Sequence, residues 1–288
     1  MPMSPRLLRP RTGGFHIDAE DWRSRVIAQG GSVSGTTMKA VSAFCKAIAD
    51  AGIRDRFYRL NLFCGTSDGS LIAPRVPLYR GPSRTGTQYG DAIDGNNNFV
   101  QADYAENNGL LGNGSTKYLS TGLEMTYLGS NQVHLFASFV PDAAQNFRFL
   151  LGARANLSGS LAMEQNFNGT TANRPRIAIF SAGISPPGNA SPITGRTQYL
   201  CQLDGTNGLI GETFARNVSL GQNTFGAYSA TNTTAFLIFA GNQTGTGIAG
   251  YFHSRIDSYS IGAAFTTSAG RTAYHDALTT FRAALGRT

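Results

Sequence analysis

Val133-His134-Leu135-Phe136-Ala137-Ser138-Phe139-Val140 and Tyr251-Phe252-His253-Ser254-Arg255-Ile256-Asp257-Ser258-Tyr259-Ser260-Ile261 decide the reading of this chain. Both are rich in aromatic and β-branched residues and partly alternate between apolar and polar, the pattern of strands with one buried and one exposed face. Around them the region from Leu110 onward breaks into short runs of β-formers separated by Gly, Asn, Ser and Thr clusters. The runs fall at 118–120, 133–140, 147–153, 160–165, 176–180, 197–203, 209–214, 225–229, 236–240 and 250–261. A spacing of roughly ten to fifteen residues is that of an antiparallel sandwich.

The segment before these runs reads differently. Ile17 to Ala28 opens with acidic residues and ends at Gly30-Gly31, which predicts a short helix with Trp22, Val26 and Ile27 on its apolar face. A second helix, capped by Ser34 or Thr36 and closed by Gly52, carries Met38, Val41, Phe44, Cys45 and Ile48 at three- and four-residue steps. Phe57 to Phe63 alternates as a strand, Gly65 to Asn98 reads as an irregular connection, and Ser268 to Leu285 predicts a closing helix with Ala273, Ala277, Leu278, Phe281 and Leu285 on one side. Three prolines, three arginines and a Gly-Gly in residues 1–15 predict an extended arm. The expected organisation is an arm over 1–16, a helical lead-in over 17–64, the connection over 65–98 and a sandwich with its C-terminal helix over 99–288.

Composition limits function. The chain has 35 glycines in 288 residues and only 14% charged residues, which suits turns and strands. Residues 1–84 hold 13 of the 24 Lys and Arg but 6 of the 17 Asp and Glu, so the +7 net charge of the chain resides there while the remainder is neutral. Of the 24 basic residues 21 are Arg, the residue suited to bidentate contacts at interfaces. A basic arm docking on an acidic partner has this charge pattern, with Arg6, Arg9 and Arg11 as the anchoring residues. Nucleic acid is a weaker reading, because the arm lacks a folded motif or interleaved aromatics.

Cys45, Cys64 and Cys201 are too few and too scattered for a disulfide framework and read as small buried hydrophobes. No apolar run approaches a membrane span and no signal peptide is present, so synthesis in a reducing cytoplasm without membrane insertion is expected. His16, His134, His253 and His275 show no metal-ligand spacing, His134 and His253 reading as strand residues, and Asp204-Gly205-Thr206-Asn207-Gly208 reads as a turn before it reads as a calcium loop. Glu124, Glu164 and Glu212 stand singly, without the paired carboxylates of a sandwich glycosidase. No catalytic residue, metal or cofactor is therefore expected. Glycan contact needs an aromatic platform, for which Tyr199, Tyr228, Tyr251 and Tyr259 are available, the first three being the candidates.

Gly109-Leu110-Leu111-Gly112-Asn113-Gly114-Ser115-Thr116-Lys117-Tyr118-Leu119, Leu237-Ile238-Phe239-Ala240-Gly241-Asn242, Asp257-Ser258-Tyr259-Ser260-Ile261-Gly262 and Phe281-Arg282-Ala283-Ala284-Leu285-Gly286-Arg287 together resemble the concanavalin A-like or laminin G-like jelly-roll domains of tailed-phage virion proteins. Ala51-Gly52-Ile53 and Phe57 to Phe63 resemble the lead-in that precedes such domains. The resemblance implies a mainly β fold, an antiparallel jelly-roll β-sandwich after a basic arm and a small α-helical segment. It also implies a non-enzymatic component of a bacteriophage virion: a head fibre or capsid decoration protein, or a tail-fibre or baseplate protein. Its partners would be capsid, tail or baseplate subunits, further copies of itself in a homo-oligomer such as a trimer, and a host surface polysaccharide.

Overall fold

The computed structural model describes residues 14–65, 70–83, 89–128, 132–141, 148–154, 160–165, 175–179, 182–184, 195–205, 210–224, 233–243 and 247–287. Strands β1–β17 and helices α1–α4 are numbered along the chain. One sheet runs β13 (Val218–Thr224), β12 (Ile210–Ala215), β11 (Thr197–Asp204), β6 (Gln132–Phe139), β17 (Arg255–Gly262), β4 (Gly109–Leu111), β3 (Tyr104–Ala105), with β1 (Phe57–Asn61) also on β17. β4 takes the first two residues of β17 and β1 takes its last four, so the two short strands share one side of it. The other sheet runs β10 (Ala182–Ile184), β9 (Pro175–Ile179), β8 (Ser160–Gln165), β7 (Arg148–Arg154), β14 (Ala235–Ile238), β5 (Tyr118–Glu124), β2 (Gly95–Asn97). β15 (Gly241–Gln243) lies parallel to the end of β7 and makes a hairpin with β16 (Gly247–Ala249).

Alternation places Leu135, Ala137 and Phe139 of β6 and Tyr199, Cys201 and Leu203 of β11 between the sheets, against Leu119 and Leu123 of β5, Leu151, Leu161, Met163, Phe236 and Ile238. This is a β-sandwich, as the strand pattern predicts. The opposite parity of β6 and β11 is buried as well, whereas β13 at the edge of this sheet is largely exposed. Phe136, Leu200 and Phe214 join a second apolar core with α1 (Ile17–Ala28), α2 (Gly35–Asp50) and α4 (Ser268–Ala284). The central strands β6 and β11 are thus buried on both faces, which is why they carry apolar residues at both parities.

The helices form where the sequence places them. Ser34 Oγ accepts from Thr37 N at 3.0 Å and caps α2, and Thr267 Oγ1 accepts from Gly270 N at 3.1 Å and caps α4. Phe44 of α2 meets Tyr274 and Phe281 of α4 edge-on, so the second and last helices pack in one layer. Of the three residues expected on the apolar face of α1, Trp22 and Val26 are buried, whereas Ile27 is 55% exposed on the far side of that helix. His253 is an exposed residue between strands rather than part of one, because the expected 250–261 run breaks before Arg255. The helical segment and the sandwich share the second core, and the 65–98 connection contributes a short helix, α3 (Ile72–Arg75), and β2. The 225–229 run and residues 206–208 of the 204–208 turn lie outside the described residues, as does the arm with Arg6, Arg9 and Arg11. All three cysteines are free and buried.

Candidate functional site

Arg59 sits in β1 with no exposed surface, a position that would be prohibitive without a counter-ion. Its Nε and Nη2 donate to Asp94 Oδ1 at 3.0 and 2.6 Å. Tyr259 of β17 donates its hydroxyl to the same carboxylate at 2.8 and 2.9 Å, and Asn61 Nδ2 donates to Asp94 Oδ2 at 2.8 Å. Burial opposes the charge of Arg59, but Asp94 and the Tyr259 oxygen outweigh it and leave the guanidinium more basic than usual. Burial, followed by the charge of Asp94, pushes the Tyr259 hydroxyl far above its ordinary range, so it remains a donor.

The remaining donor arm of Arg59 faces a surface loop. Nη1 donates to the carbonyls of Tyr89 and Asp91 at 3.1 and 2.9 Å, and Asp91 N donates to Thr121 O of β5 at 2.9 Å. Glycine is required on both sides of this contact. A Cβ on Gly90, whose φ is +79°, would lie 2.5 Å from Thr121 O, and one on Gly122, with φ +65°, would lie 2.5 Å from the Asp91 carboxyl carbon. The loop is pinned from beneath by a buried ion pair and from the side by a strand.

What it presents is aromatic. Tyr89 stacks on Tyr58 of β1 with centroids 4.9 Å apart and planes 11° apart, and Tyr127, after the end of β5, stands edge-on to Tyr89 at 5.5 Å. Tyr127 is 46% exposed, Tyr58 and Tyr89 are half-buried, and Asp91 and Thr126 beside them are exposed. Burial and then the neighbouring Tyr89 raise the Tyr58 hydroxyl above its usual range. The ledge therefore joins a strand at the rim of one sheet to the end of a strand in the other, and carries phenol rings, their hydroxyls and a carboxylate on a rigid base. An aromatic face accepts the C–H face of a sugar ring, while hydroxyl and carboxylate groups take up the sugar hydroxyls.

None of the three expected glycan-contacting tyrosines belongs to this ledge. Tyr199 is fully buried between the sheets against Phe139 at 4.8 Å, so its ring is closed to any ligand; its position on the inner parity of β11 is the reason. Tyr228 lies outside the described residues. Tyr251 is half-buried and pairs with Tyr118 at 6.3 Å, beside the 112–117 loop, where Asn113 Oδ1 accepts three backbone N–H groups, from Ser115, Thr116 and Lys117. It is a smaller aromatic surface than the ledge, and its neighbouring amide is committed to its own loop. Glu124 and Glu164 lie on β5 and β8, and Glu164 is buried. Among the described residues no group of three or more His, Cys, Asp or Glu could hold a metal ion, and no helix is long and apolar enough to cross a membrane.

No family model and no curated protein matches the sequence. Solved structures similar to it include domain 4 of AbnA, a GH43 extracellular arabinanase from Geobacillus stearothermophilus, in complex with arabinotriose. It shares 16% identity over 57% of this chain and 75% of that chain, with a TM-score of 0.41. The CBM40 of the Ruminococcus gnavus IT-sialidase bound to α2,3 sialyllactose shares 12% identity over 49% of this chain and 80% of its own, with a TM-score of 0.40. A structure of NanB with Optactamide shares 11% identity over 57% of this chain, with a TM-score of 0.46, and the similarity covers only 27% of the NanB chain. These likenesses are partial.

Proposed function

We propose that the chain is a non-catalytic carbohydrate-binding module whose contact surface is the Tyr58–Tyr89–Tyr127 ledge with Asp91. The observation that carries this reading is the stacked tyrosine pair held on a loop that Arg59 fixes from below. Surface aromatics are ordinarily held by packing alone; here a buried ion pair, two glycine approaches and a strand hydrogen bond are devoted to one exposed loop. Such preorganisation is what a weak, area-limited ligand such as a saccharide requires, because ordering the site on binding would consume the affinity.

The test is binding of the full chain to a panel of neutral and acidic oligosaccharides by array and then by calorimetry. Tyr127→Ala, at an exposed position, is expected to weaken any ligand found by roughly ten-fold, and Tyr127→Phe by much less, since the ring and not the hydroxyl stacks. A ligand bound equally well by Tyr127→Ala would move the site elsewhere.

The finer reading is that the module is a virion component, held to capsid, tail or baseplate subunits by its basic N-terminal region and displayed as a homo-oligomer toward host polysaccharide. It is favoured by the location of the whole +7 surplus in residues 1–84 and by the packing of α1 and α2 in the second core, on the side of the first sheet away from the second. Deleting residues 1–15 is expected to abolish incorporation into particles while leaving the sandwich folded. Incorporation that survives the deletion would remove the role given to Arg6, Arg9 and Arg11.

A further inference from the structure

Arg287 stands just beyond the end of α4 and is almost fully buried. Gly286, with φ +67°, closes the helix in a left-handed turn, and Arg287 N donates back to Arg282 O at 2.9 Å. The guanidinium meets four main-chain carbonyls. Nε donates to Glu106 O at 2.7 Å, Nη1 to Leu62 O at 2.9 Å and to Asp257 O at 2.8 Å, and Nη2 to Phe63 O at 2.7 Å. A planar fork of donors serves all four at once, which the compact ammonium of a lysine does not.

Two of those carbonyls belong to the turn that follows β1. Phe63 has φ +42°, a conformation that costs a non-glycine residue energy and persists only where its surroundings fix it. They fix it from three directions. Its N–H donates to Asn61 Oδ1 at 3.0 Å, its carbonyl accepts from Arg287, and its buried ring lies 5.6 Å from that of Tyr259. The Asn61 amide carries the arrangement onward. With its oxygen taken by Phe63 N–H, its nitrogen donates to Asp94 Oδ2 at 2.8 Å, and Asp94 is the carboxylate that holds Arg59 beneath the tyrosine ledge. Hydrogen bonds thus run from Arg287 through the Phe63 peptide groups, Asn61, Asp94 and Arg59 to the carbonyls of Tyr89 and Asp91. Arg287, Asn61, Asp94 and Arg59 are all buried, so water does not stand in freely for a missing member.

We infer that Arg287 is a positioning residue for the tyrosine ledge: by holding the carbonyls of Leu62 and Phe63 it sets the Asn61 amide, and through it the Asp94–Arg59 pair that carries Tyr89 and Asp91. This rests on the ledge being the contact surface. It makes the ledge depend on the seating of α4, although that helix supplies none of the ledge residues.

Amide hydrogen exchange of the full chain, followed by NMR, reads the ledge without a saccharide. The Asp91 N–H, bonded to Thr121 O, reports the loop, and the Phe239 N–H, bonded to Leu150 O at 2.9 Å, reports the sandwich. Arg287→Lys is expected to speed exchange at Asp91 by roughly ten-fold more than at Phe239. Asn61→Ala, which cuts the path in its middle with Arg287 intact, should do the same. In Arg287→Ala, added methylguanidinium should reoccupy the four carbonyls and restore protection at Asp91, while leaving the wild-type chain unchanged. Saccharide affinity of the same variants then separates the two claims. Faster exchange at Asp91 with weaker binding supports both, whereas faster exchange with binding unchanged keeps the positioning role and moves the contact surface elsewhere. Equal acceleration at Asp91 and Phe239, the mark of a purely stabilising residue, or no acceleration at Asp91 in Arg287→Lys, would overturn the inference.

Discussion

The two sheets of the sandwich live in different environments. β5, in the second sheet, alternates buried and half-buried residues over its whole length, while seven of the eight residues of β6, in the first, are buried. At β5 the second sheet meets the common core with one parity and leaves the other half-exposed, whereas β8 in the same sheet is buried at both parities. The first lies between that core and a helical layer, so polar residues on its outer parity must find partners inside the protein. They do so in chains. Tyr274 of α4 donates its hydroxyl to Ser260 Oγ at 3.0 Å, Ser260 stands 2.9 Å from His134 Nε2, and His134 Nδ1 is 2.8 Å from the carbonyl of Ala263. With the carbonyl as acceptor, Nδ1 carries the proton and Nε2 accepts, which fixes a neutral imidazole. The lesson is that the covered sheet supplies rigidity, through Arg59 and His134, and the proposed tyrosine ledge lies where its short strand β1 emerges from cover.

Breaking the buried ion pair should have the largest effect. Asp94→Ala leaves the Arg59 guanidinium without its carboxylate and is expected to cost about 3–5 kcal/mol in denaturant unfolding. Arg59→Met combined with Asp94→Leu should cost less than the single change, because no charge is stranded, although the loop would lose its anchor and glycan binding should fall.

Acidification comes next. Burial lowers the pKa of His134 from 6.5 to about 4, with the Ala263 carbonyl opposing and Arg56 reinforcing the shift. The unfolded chain therefore takes up a proton at this residue before the native state does. Its contribution is fully present above pH 6.5 and is lost as pH falls toward 4, on the order of 3 kcal/mol in total. His134→Gln should flatten stability measured over that window, and an unchanged slope would show that other groups set it.

Smaller effects should separate the two sheets. Tyr274→Phe removes the hydroxyl that begins the His134 chain and should cost about 1 kcal/mol. Ser120→Thr, on the solvent side of β5, should change stability by less than about 0.5 kcal/mol. Comparable costs at the two positions would mean that the faces are not as different as their burial indicates.

Much of this architecture is legible in the residues themselves. β6, β8, β11 and the three long helices fall within a residue or two of the runs and caps that predict them, because each combines an apolar pattern with turn or capping residues at its ends. The strands that escape are those whose pairing is dictated by a neighbour. β13, with the sequence VSLGQNT, lacks an apolar run and begins at Val218, which is 66% exposed; β2 is only Gly-Asn-Asn. Neither carries a signal of its own. The tyrosine ledge is hidden for another reason. Tyr58, Tyr89 and Tyr127 come from a strand, an irregular connection and a turn, and only the loop anchored by Arg59 brings them together. Arg59 itself is one arginine among 21, and its complete burial against Asp94 is not written in the sequence around it. Tyr199, by contrast, sits in a strongly predicted strand, and that strength indicates core packing over ligand contact.

The most direct test of the account is a calorimetric titration of the full chain with the best saccharide from a glycan panel, repeated with Tyr127→Ala and with Tyr251→Ala. The account predicts that Tyr127→Ala loses about ten-fold in affinity while Tyr251→Ala stays close to wild type. The reverse order, or no saccharide bound by the wild-type chain, would contradict it.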